Sequence, residues 1–142
     1  MPEMTHDEAL AFIAATPART AKVATVLEDG SPHVAPVWVA LDGDDIMFNT
    51  GVATLKGRSL IRDPRVSMCF DDETPPFAFV VVKGAARLTE DPDELLHWAT
   101  IIGGRYMGAG RAEDYGRRNG VPGELLVRVT PAKIVAVRDL AG

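Results

Sequence analysis

The sequence predicts a mainly β protein with short helices (α+β), in which six antiparallel strands form a closed barrel. Consecutive β-like segments are joined by tight turns such as residues 28–31 and 42–44, which suit hairpins and are too short for the crossovers that parallel strands need. Closing such a sheet into a barrel removes its exposed edges. The chain has 142 residues, of which 46% are hydrophobic and 25% charged, as expected for one domain covering residues 1–142.

The first half of the chain predicts a helix, a three-stranded meander and a second helix. Thr5 and Glu8 have capping-box spacing, and the apolar residues that follow make a short helix ending before Pro17. The second helix covers residues 54–62 and closes at Asp63, because a residue that precedes a proline avoids the α region. The three strands of this half are residues 21–27, 32–41 and 46–50.

The second half predicts three more strands and two more helices. Asp91 and Pro92 suit the N-cap and first position of a helix, and an apolar stripe follows them. A shorter helix at residues 111–118 stops at Asn119-Gly120. The apolar stripe consists of Leu95, Trp98, Ile101 and Ile102. The strands are residues 65–70, residues 77–88 with Val80, Val81 and Val82 as their buried centre, and residues 124–137, interrupted at Pro131.

Pro36 lies inside the predicted strand 32–41 and has no N–H group to give a neighbouring strand. That side of the strand should therefore lack a strand partner. A flat ligand lying against the backbone would fill the gap, and an ordinary edge strand or bulge explains the proline equally well. Trp38, two residues further on, suits either the core or the wall of a ring-binding site.

Composition and residue types exclude several functions. The formal net charge of −5 argues against nucleic acid as a partner, and no apolar run reaches the ~18 residues of a membrane span. The N-terminus has no basic and apolar leader pattern, so we expect a cytoplasmic protein. The single cysteine, Cys69, excludes an internal disulfide and a cysteine-based zinc site, and its apolar neighbours favour a core position. No catalytic side chain and no metal-ligand set is predicted, because the nucleophile and metalloprotease motifs are absent.

A strand-to-helix turn at residues 49–59 predicts a phosphate site. Gly51 leaves backbone N–H groups free to point at an anion, and Lys56 and Arg58 add positive charge. Lysine is scarce, with four against eleven arginines, and a cation at a helix start is unfavourable unless an anion is nearby. The alternative is that Lys56 is an ordinary surface lysine. The hydroxyl groups of the segment are those of Thr50, Thr54 and Ser59.

The C-terminal region is basic on an otherwise acidic chain. Residues 101–142 carry seven basic and four acidic side chains, a formal charge of +3, whereas residues 1–100 carry −8. This distribution suggests a local anion site, although Arg117 and Arg118 also suit a solvated helix face.

Several segments together resemble a known family. SPHVAPVWVA, IMFNTG and LKGRSLIRDPRVSMCF, placed after an N-terminal helix and a hairpin, are similar to the pyridoxamine 5′-phosphate oxidase-like split β-barrel flavoproteins. RYMGAGRAEDYGRRNGVPG and GELLVRVTPAKIVAVR resemble its actinobacterial branch, which uses the deazaflavin coenzyme F420 in place of FMN. The resemblance covers nearly the whole chain and is most specific from Lys56 to Arg65. It implies an FMN-binding-like split barrel of six strands.

The resemblance also implies where a cofactor binds. The strand-to-helix segment would hold its phosphate, the strand before the second turn would run beside its ring, and aromatic residues of a partner subunit would complete the site. A basic residue that some relatives carry is Thr54 here, so we expect one phosphate contact to be weaker. The expected cofactor residues are Val34, Ala35, Pro36, Val37, Trp38, Asn49, Thr50, Gly51, Thr54, Lys56, Gly57, Arg58, Ser59, Phe77 and Phe79.

By this resemblance the protein would be a homodimer that transfers a hydride from reduced F420 to a small electron-poor organic acceptor. The cofactor carries the chemistry, so no acid or base residue is required. The anionic polyglutamate tail of F420 would suit the basic residues Arg105, Arg111, Arg117 and Arg118. Two alternatives stay open, namely an FMN-dependent oxidoreductase of the pyridoxamine phosphate oxidase type and a non-catalytic flavin- or deazaflavin-binding protein.

Overall fold

The computed structural model describes residues 2–142, which form seven strands and four α-helices. The strands are β1 (Ala21–Val26), β2 (Pro32–Val37), β3 (Ala40–Asp42), β4 (Asp45–Gly51), β5 (Arg65–Asp72), β6 (Ala78–Thr89) and β7 (Glu124–Val137). The helices are α1 (His6–Ala14), α2 (Leu55–Arg62), α3 (Pro92–Met107) and α4 (Ala112–Asn119), with a 3-10 turn at Ala109–Arg111 before α4.

All seven strands belong to one antiparallel sheet in the order β2-β1-β5-β6-β7-β4-β3. The predicted antiparallel pairing is confirmed, but the predictions of six strands and of a closed barrel are wrong. The predicted strand 32–41 is two strands, β2 and β3, and they form the two opposite edges of the sheet. Only two residues separate them in the chain, so the sheet must curl until its edges lie close together.

Val39 shows why the strand divides. Its N–H group donates a 3.1 Å hydrogen bond to the hydroxyl of Tyr106, and its carbonyl oxygen accepts a 2.6 Å bond from Arg105. Both partners are side chains of α3. Because α3 takes both backbone groups, Val39 makes no ladder bonds, and β2 and β3 cannot form one continuous strand.

Local caps start the helices where the sequence predicts. The Thr5 hydroxyl accepts a bond from the Glu8 N–H (3.1 Å), and the Glu8 carboxylate accepts one from the Thr5 N–H (2.9 Å), which completes the capping box of α1. Thr54 caps α2, and Asp91 caps α3 through the Glu94 N–H at 3.0 Å. The helix predicted at residues 111–118 is the 3-10 turn followed by α4.

The core consists of two layers. The inner face of the curled sheet packs against α1 and α2, and buries Phe48, Phe70 and Val127 completely. A second layer lies between α3 and the other side of β3, β4 and β7, with Trp98 and Met47 among its buried residues.

Strand β6 corrects one detail of the predicted core. Val80 and Val82 are fully buried on the inner face, whereas Val81 points to the other side and is only half-buried. The alternation of side chains along a strand divides the predicted run of three valines between the two faces of the sheet.

The outer face of β2, β1, β5 and β6 carries no helix, since α3 covers only β3, β4 and part of β7. We call this surface the outer face. Val34 on β2 is 65% exposed, while Val81 and Cys69 are half-buried there. Cys69 is therefore not a core residue as predicted, and burial, followed by the nearby Asp71 charge, raises the pKa of its thiol. Within residues 2–142 no helix is long and apolar enough to cross a membrane.

Candidate functional site

The turn from β4 into α2 is held together by its own hydrogen bonds. The Thr54 hydroxyl accepts a bond from the Gly57 N–H (3.0 Å) and donates one to the Gly51 carbonyl (2.8 Å), while the Thr50 hydroxyl lies 3.0 Å from it. A β-carbon on Gly57 would overlap the carbonyl oxygen of Gly51. The first turn of α2 therefore lies directly on the end of β4, and only glycine fits at position 57.

This packing decides which groups are free to hold an anion. The hydroxyls of Thr50 and Thr54 already bond within the turn. The N–H groups of Leu55 and Lys56, in the first turn of α2, have no acceptor inside the helix. With the Lys56 ammonium, they form a donor set at the positive end of the helix dipole, and that chemistry fits a phosphate group.

Glu124 is the residue of this region that the sequence did not indicate. Asn49 donates hydrogen bonds to Glu124 Oε1 (2.8 Å) and to the Asn119 carbonyl (3.3 Å). Burial raises the pKa of the Glu124 carboxyl, and the Asn49 bond and the Lys56 charge lower it in part. A cation at a helix start is unfavourable unless an anion is nearby, and the Glu124 carboxylate is such an anion for Lys56. Only the pairing of Gly51 with Glu124 between β4 and β7 brings these residues together.

Arg58 and Ser59 line a cavity of about 320 Å³ between α2 and the turn that joins β1 to β2, and Leu55 at the start of α2 lines it as well. Arg62 lines the same cavity and donates a 2.8 Å bond to the Val26 carbonyl. Arg58 is exposed and Ser59 is buried. The later residues of the predicted phosphate segment therefore border a cavity that reaches the first residue of α2.

Strand β2 is an edge strand, as Pro36 indicates. Every second residue of β2 lies opposite every second residue of β1. These pairs are Pro32 with Val26, Val34 with Ala24, and Pro36 with Lys22. A proline has no N–H to give β1, so the backbone groups of these three residues point away from β1, towards the open edge. Of these three residues only Val34 has an N–H group, and it therefore presents both a donor and a carbonyl acceptor at the open edge. Ala35 and Val37 face the inner side of the sheet, where Val37 is buried.

Trp38 directly follows β2 and packs against the layer under α3. Its ring stacks on Tyr106 with centroids 5.2 Å apart and planes 5° apart, and it is tilted against Tyr115 at 5.8 Å. Trp38 therefore packs among aromatic residues of α3 and α4, and its predicted role beside a cofactor ring stays a prediction.

Phe77 and Phe79 lie at the far side of the outer face. Phe79 belongs to β6, three strand spacings or ~14 Å from β2. Phe77 precedes β6 with a positive φ of 65° and is 39% exposed, and its carbonyl accepts a 3.1 Å bond from the Leu140 N–H. One chain alone does not bring these two rings to β2 or to the α2 turn.

Known structures show the same fold. A conserved hypothetical protein of Mycobacterium tuberculosis, Rv2991, is 26% identical, with a TM-score of 0.83 over 98% of this chain and 89% of its own. An F420 reductase is 23% identical (TM-score 0.64, 82% of this chain and 88% of its own). An FAD-binding protein of Mesorhizobium loti is 17% identical (TM-score 0.70, 95% of both chains). The last two likenesses concern the fold alone.

Comparison with curated proteins found no match. The family model described as pyridoxamine 5′-phosphate oxidase matches residues 5–138, from the cap of α1 to the residue after β7. The match includes the α2 turn, the β2 edge and the whole sheet, in the split-barrel arrangement typical of that family. The chain is therefore a member of the pyridoxamine 5′-phosphate oxidase family.

Proposed function

We propose that the protein is an oxidoreductase that binds coenzyme F420 and passes a hydride from its reduced form to a small electron-poor organic acceptor. Family membership supports an oxidoreductase with a flavin-type cofactor. The segments RYMGAGRAEDYGRRNGVPG and GELLVRVTPAKIVAVR and the structural likeness to an F420 reductase favour the deazaflavin. The observation that carries the proposal is the donor set at the start of α2, a helix that also contacts the edge strand β2.

The residues of this chain would bind and orient the cofactor. The N–H groups of Leu55 and Lys56, with the Lys56 ammonium, would hold its phosphate, and Arg58 adds positive charge on the neighbouring surface of α2. When bound, the reduced deazaflavin supplies the hydride. Nearby Glu124 limits how much negative charge this end of α2 accepts, because its carboxylate repels an anion while it is ionised.

The open edge of β2 suits the polar rim of a flat ring. Val34 directs an N–H donor and a carbonyl acceptor outwards from neighbouring positions on the strand. A ring carrying an amide-type N–H next to a carbonyl would form two hydrogen bonds with this one residue. Pro32 and Pro36 on either side offer carbonyls but no N–H, so another β-strand would pair poorly at the same edge.

A two-fold dimer completes the proposal. The outer face has no helix over it, and it combines the exposed Val34 with the half-buried Val81, which lies opposite the exposed Val135 of β7. An apolar surface of this kind favours a second copy of the chain. A partner subunit would also supply Phe77 and Phe79, which one chain holds ~14 Å or more from β2.

Equilibrium dialysis of the purified protein against F420 and against FMN tests the cofactor. We expect F420 to bind more tightly. Tighter binding of FMN would overturn the deazaflavin assignment in favour of an FMN-dependent enzyme. Reduced F420 is then mixed with the protein and a panel of activated alkenes, quinones and nitro compounds, and loss of its reduced form is followed. Tight binding without turnover of any acceptor would contradict the enzyme assignment and indicate a cofactor-binding protein.

A further inference from the structure

Most of the basic side chains in the C-terminal region already have partners. Arg105 donates to the carbonyls of Ile13 and Val39, each at 2.6 Å, and so serves the fold. Arg117 pairs with Asp114 at 2.6 Å and also reaches Glu113 at 3.9 Å, so both acids of α4 lie on one arginine. The remaining ion pairs are Arg128 with Asp42 and Asp45, and Arg138 with Asp139.

Arg111 and Arg118 differ from these residues. Within residues 2–142 neither has a carboxylate partner within 4.0 Å, and both side chains belong to exposed residues. Each guanidinium lies over the ring of Tyr115 instead, with its central carbon 5.1 Å from the ring centroid for Arg111 and 5.4 Å for Arg118. A cation–π contact holds a guanidinium through its flat face and leaves the N–H donors at its edge free.

Close packing fixes the ring beneath the two arginines. Tyr115 is only 8% exposed and is tilted against Trp38 at 5.8 Å. A β-carbon on Gly116 would overlap the side chain of Thr100, and one on Gly103 would overlap the β-carbon of Tyr115. Helices α3 and α4 therefore approach each other more closely than larger residues allow. Tyr115 is therefore a closely packed support for the two guanidinium groups.

The spacing of the two cations indicates the ligand. Each guanidinium carbon lies within 5.4 Å of the same centroid, so the two are at most ~11 Å apart, a span that two negative groups on one flexible chain can bridge. Arg111 also directly precedes α4, where the helix dipole disfavours a cation that has no anion near it.

We propose that Arg111 and Arg118, held on Tyr115, form a binding site for a short flexible polyanion that carries carboxylate or phosphate groups. The site belongs to α4 and the residue before it, and it is tested without a cofactor, so it does not depend on the function proposed above. The polyanion has two candidate sources, namely the polyglutamate tail of a bound cofactor and a separate small oligoanion. Both present the same chemistry to the arginines.

Titration with two probes, a tetraglutamate peptide and inorganic triphosphate, tests the site without any cofactor. Binding to the full-length protein is measured by calorimetry at low salt. We expect the double variant Arg111→Gln/Arg118→Gln to bind at least about fivefold more weakly than the wild type. Arg117→Gln is the matched control. It removes a cation from the same helix, but Asp114 and Glu113 already pair with that cation, so this variant should bind the probes within about twofold of the wild type.

Equal weakening by Arg117→Gln would show that overall charge, and not the pair, attracts the probe. Failure of the wild type to bind either probe at ~10 mM would also overturn the site, since two charge-assisted hydrogen bonds, one from each arginine, correspond to millimolar affinity. Arg111→Lys/Arg118→Lys keeps the charge but loses the stacking plane. It should fold like the wild type and bind more weakly than it.

A second pair of titrations identifies the source of the polyanion. Wild type and double variant are each titrated with F420 and with the same deazaflavin lacking its glutamates. Weakening that is confined to F420 indicates the cofactor tail, whereas equal binding of both deazaflavins to both proteins indicates a separate oligoanion. If the wild type binds no deazaflavin, the proposed function fails while the probe titrations still judge the arginine site.

Discussion

The side-chain amide of Asn49 donates a 2.8 Å hydrogen bond to Glu124 Oε1, and this bond joins the ends of β4 and β7 across 75 residues of sequence. The carboxylate is partly buried, which raises its pKa, and neither the Asn49 bond nor the Lys56 charge fully offsets that effect. Ionisation of Glu124 therefore lowers the stability of the folded protein, and this carboxyl lies near Lys56 of the donor set of α2.

Replacing Glu124 with Gln should stabilise the protein at neutral pH by less than about 1 kcal/mol, because the carboxyl is partly solvated. A folded-state pKa above the ordinary 4.5 favours the protonated form, so the stability due to Glu124 is complete below pH 4.5 and is lost as the pH rises through the raised pKa. A glutamine does not ionise, so its contribution to stability does not fall with rising pH, and its side-chain carbonyl still accepts the hydrogen bond from Asn49.

Urea unfolding of the wild type and of Glu124→Gln at several pH values between 4 and 8 measures the effect. Their difference should grow with pH. Glu90→Gln is the control, since Glu90 lines the same cavity of about 200 Å³ beside Glu124 but is exposed. An equal response of the two variants would contradict the assignment to Glu124.

Lys56→Ala should have separate effects on binding and on stability. Cofactor affinity should fall by about one to two decades, because a charge-assisted hydrogen bond of roughly 1.5–3 kcal/mol is lost. The apoprotein should lose slight stability, since Lys56 lowers the pKa of Glu124 and its removal makes ionisation of that carboxyl less favourable. Dialysis and thermal melting measure the two effects. Arg87→Gln removes a cation from β6 and should leave affinity unchanged.

Gly57→Ala should destabilise the protein by about 1–3 kcal/mol, although alanine is the better helix former. The added β-carbon overlaps the backbone oxygen of Gly51, which cannot move without disturbing the end of β4. Gly110→Ala is the matched control, because a β-carbon there has no heavy atom within 4 Å. Denaturant unfolding that ranks the two variants alike would show that α2 is not in tight contact with β4.

Tyr106→Phe should lower the free energy of unfolding by about 1–3 kcal/mol while the ring keeps its stacking on Trp38. The hydroxyl donates a 2.6 Å bond to the Arg19 carbonyl and accepts a 3.1 Å bond from the N–H of buried Val39, and both groups would lose their partner. Tyr115→Phe, whose hydroxyl makes no hydrogen bond in the described part of the chain, should change stability much less. Chemical denaturation distinguishes the two.

Light scattering tests the proposed dimer. The wild type should have twice the 15.2 kDa mass of one chain at micromolar concentration. Val34→Asp places a charge on the outer face and should give monomers, because an unpaired charge is unfavourable in a buried interface. Leu96→Asp changes an equally apolar residue that is 45% exposed on α3 and should stay dimeric. A wild type that scatters as a monomer would overturn the dimer.

Local signals in the sequence determined where elements begin and that the sheet is antiparallel. Thr5, Thr54 and Asp91 cap helices because the donors that they satisfy lie within three residues, and such interactions need no distant partner. Pro36 marked an edge strand because its missing N–H is a property of the residue itself. The family was evident for a similar reason, since its motifs are continuous segments of the chain.

Tertiary structure alone decided the rest. Residues 38–39 leave the sheet because α3 brings Arg105 and Tyr106 to Val39 from more than sixty positions away. The same long-range packing sets Glu124 beside Asn49 and leaves Arg111 and Arg118, of the basic residues around α4, on Tyr115 without acid partners. Side chains of one type look identical in a sequence. Their roles differ because burial and partners depend on contacts between distant segments, and no local pattern encodes those contacts.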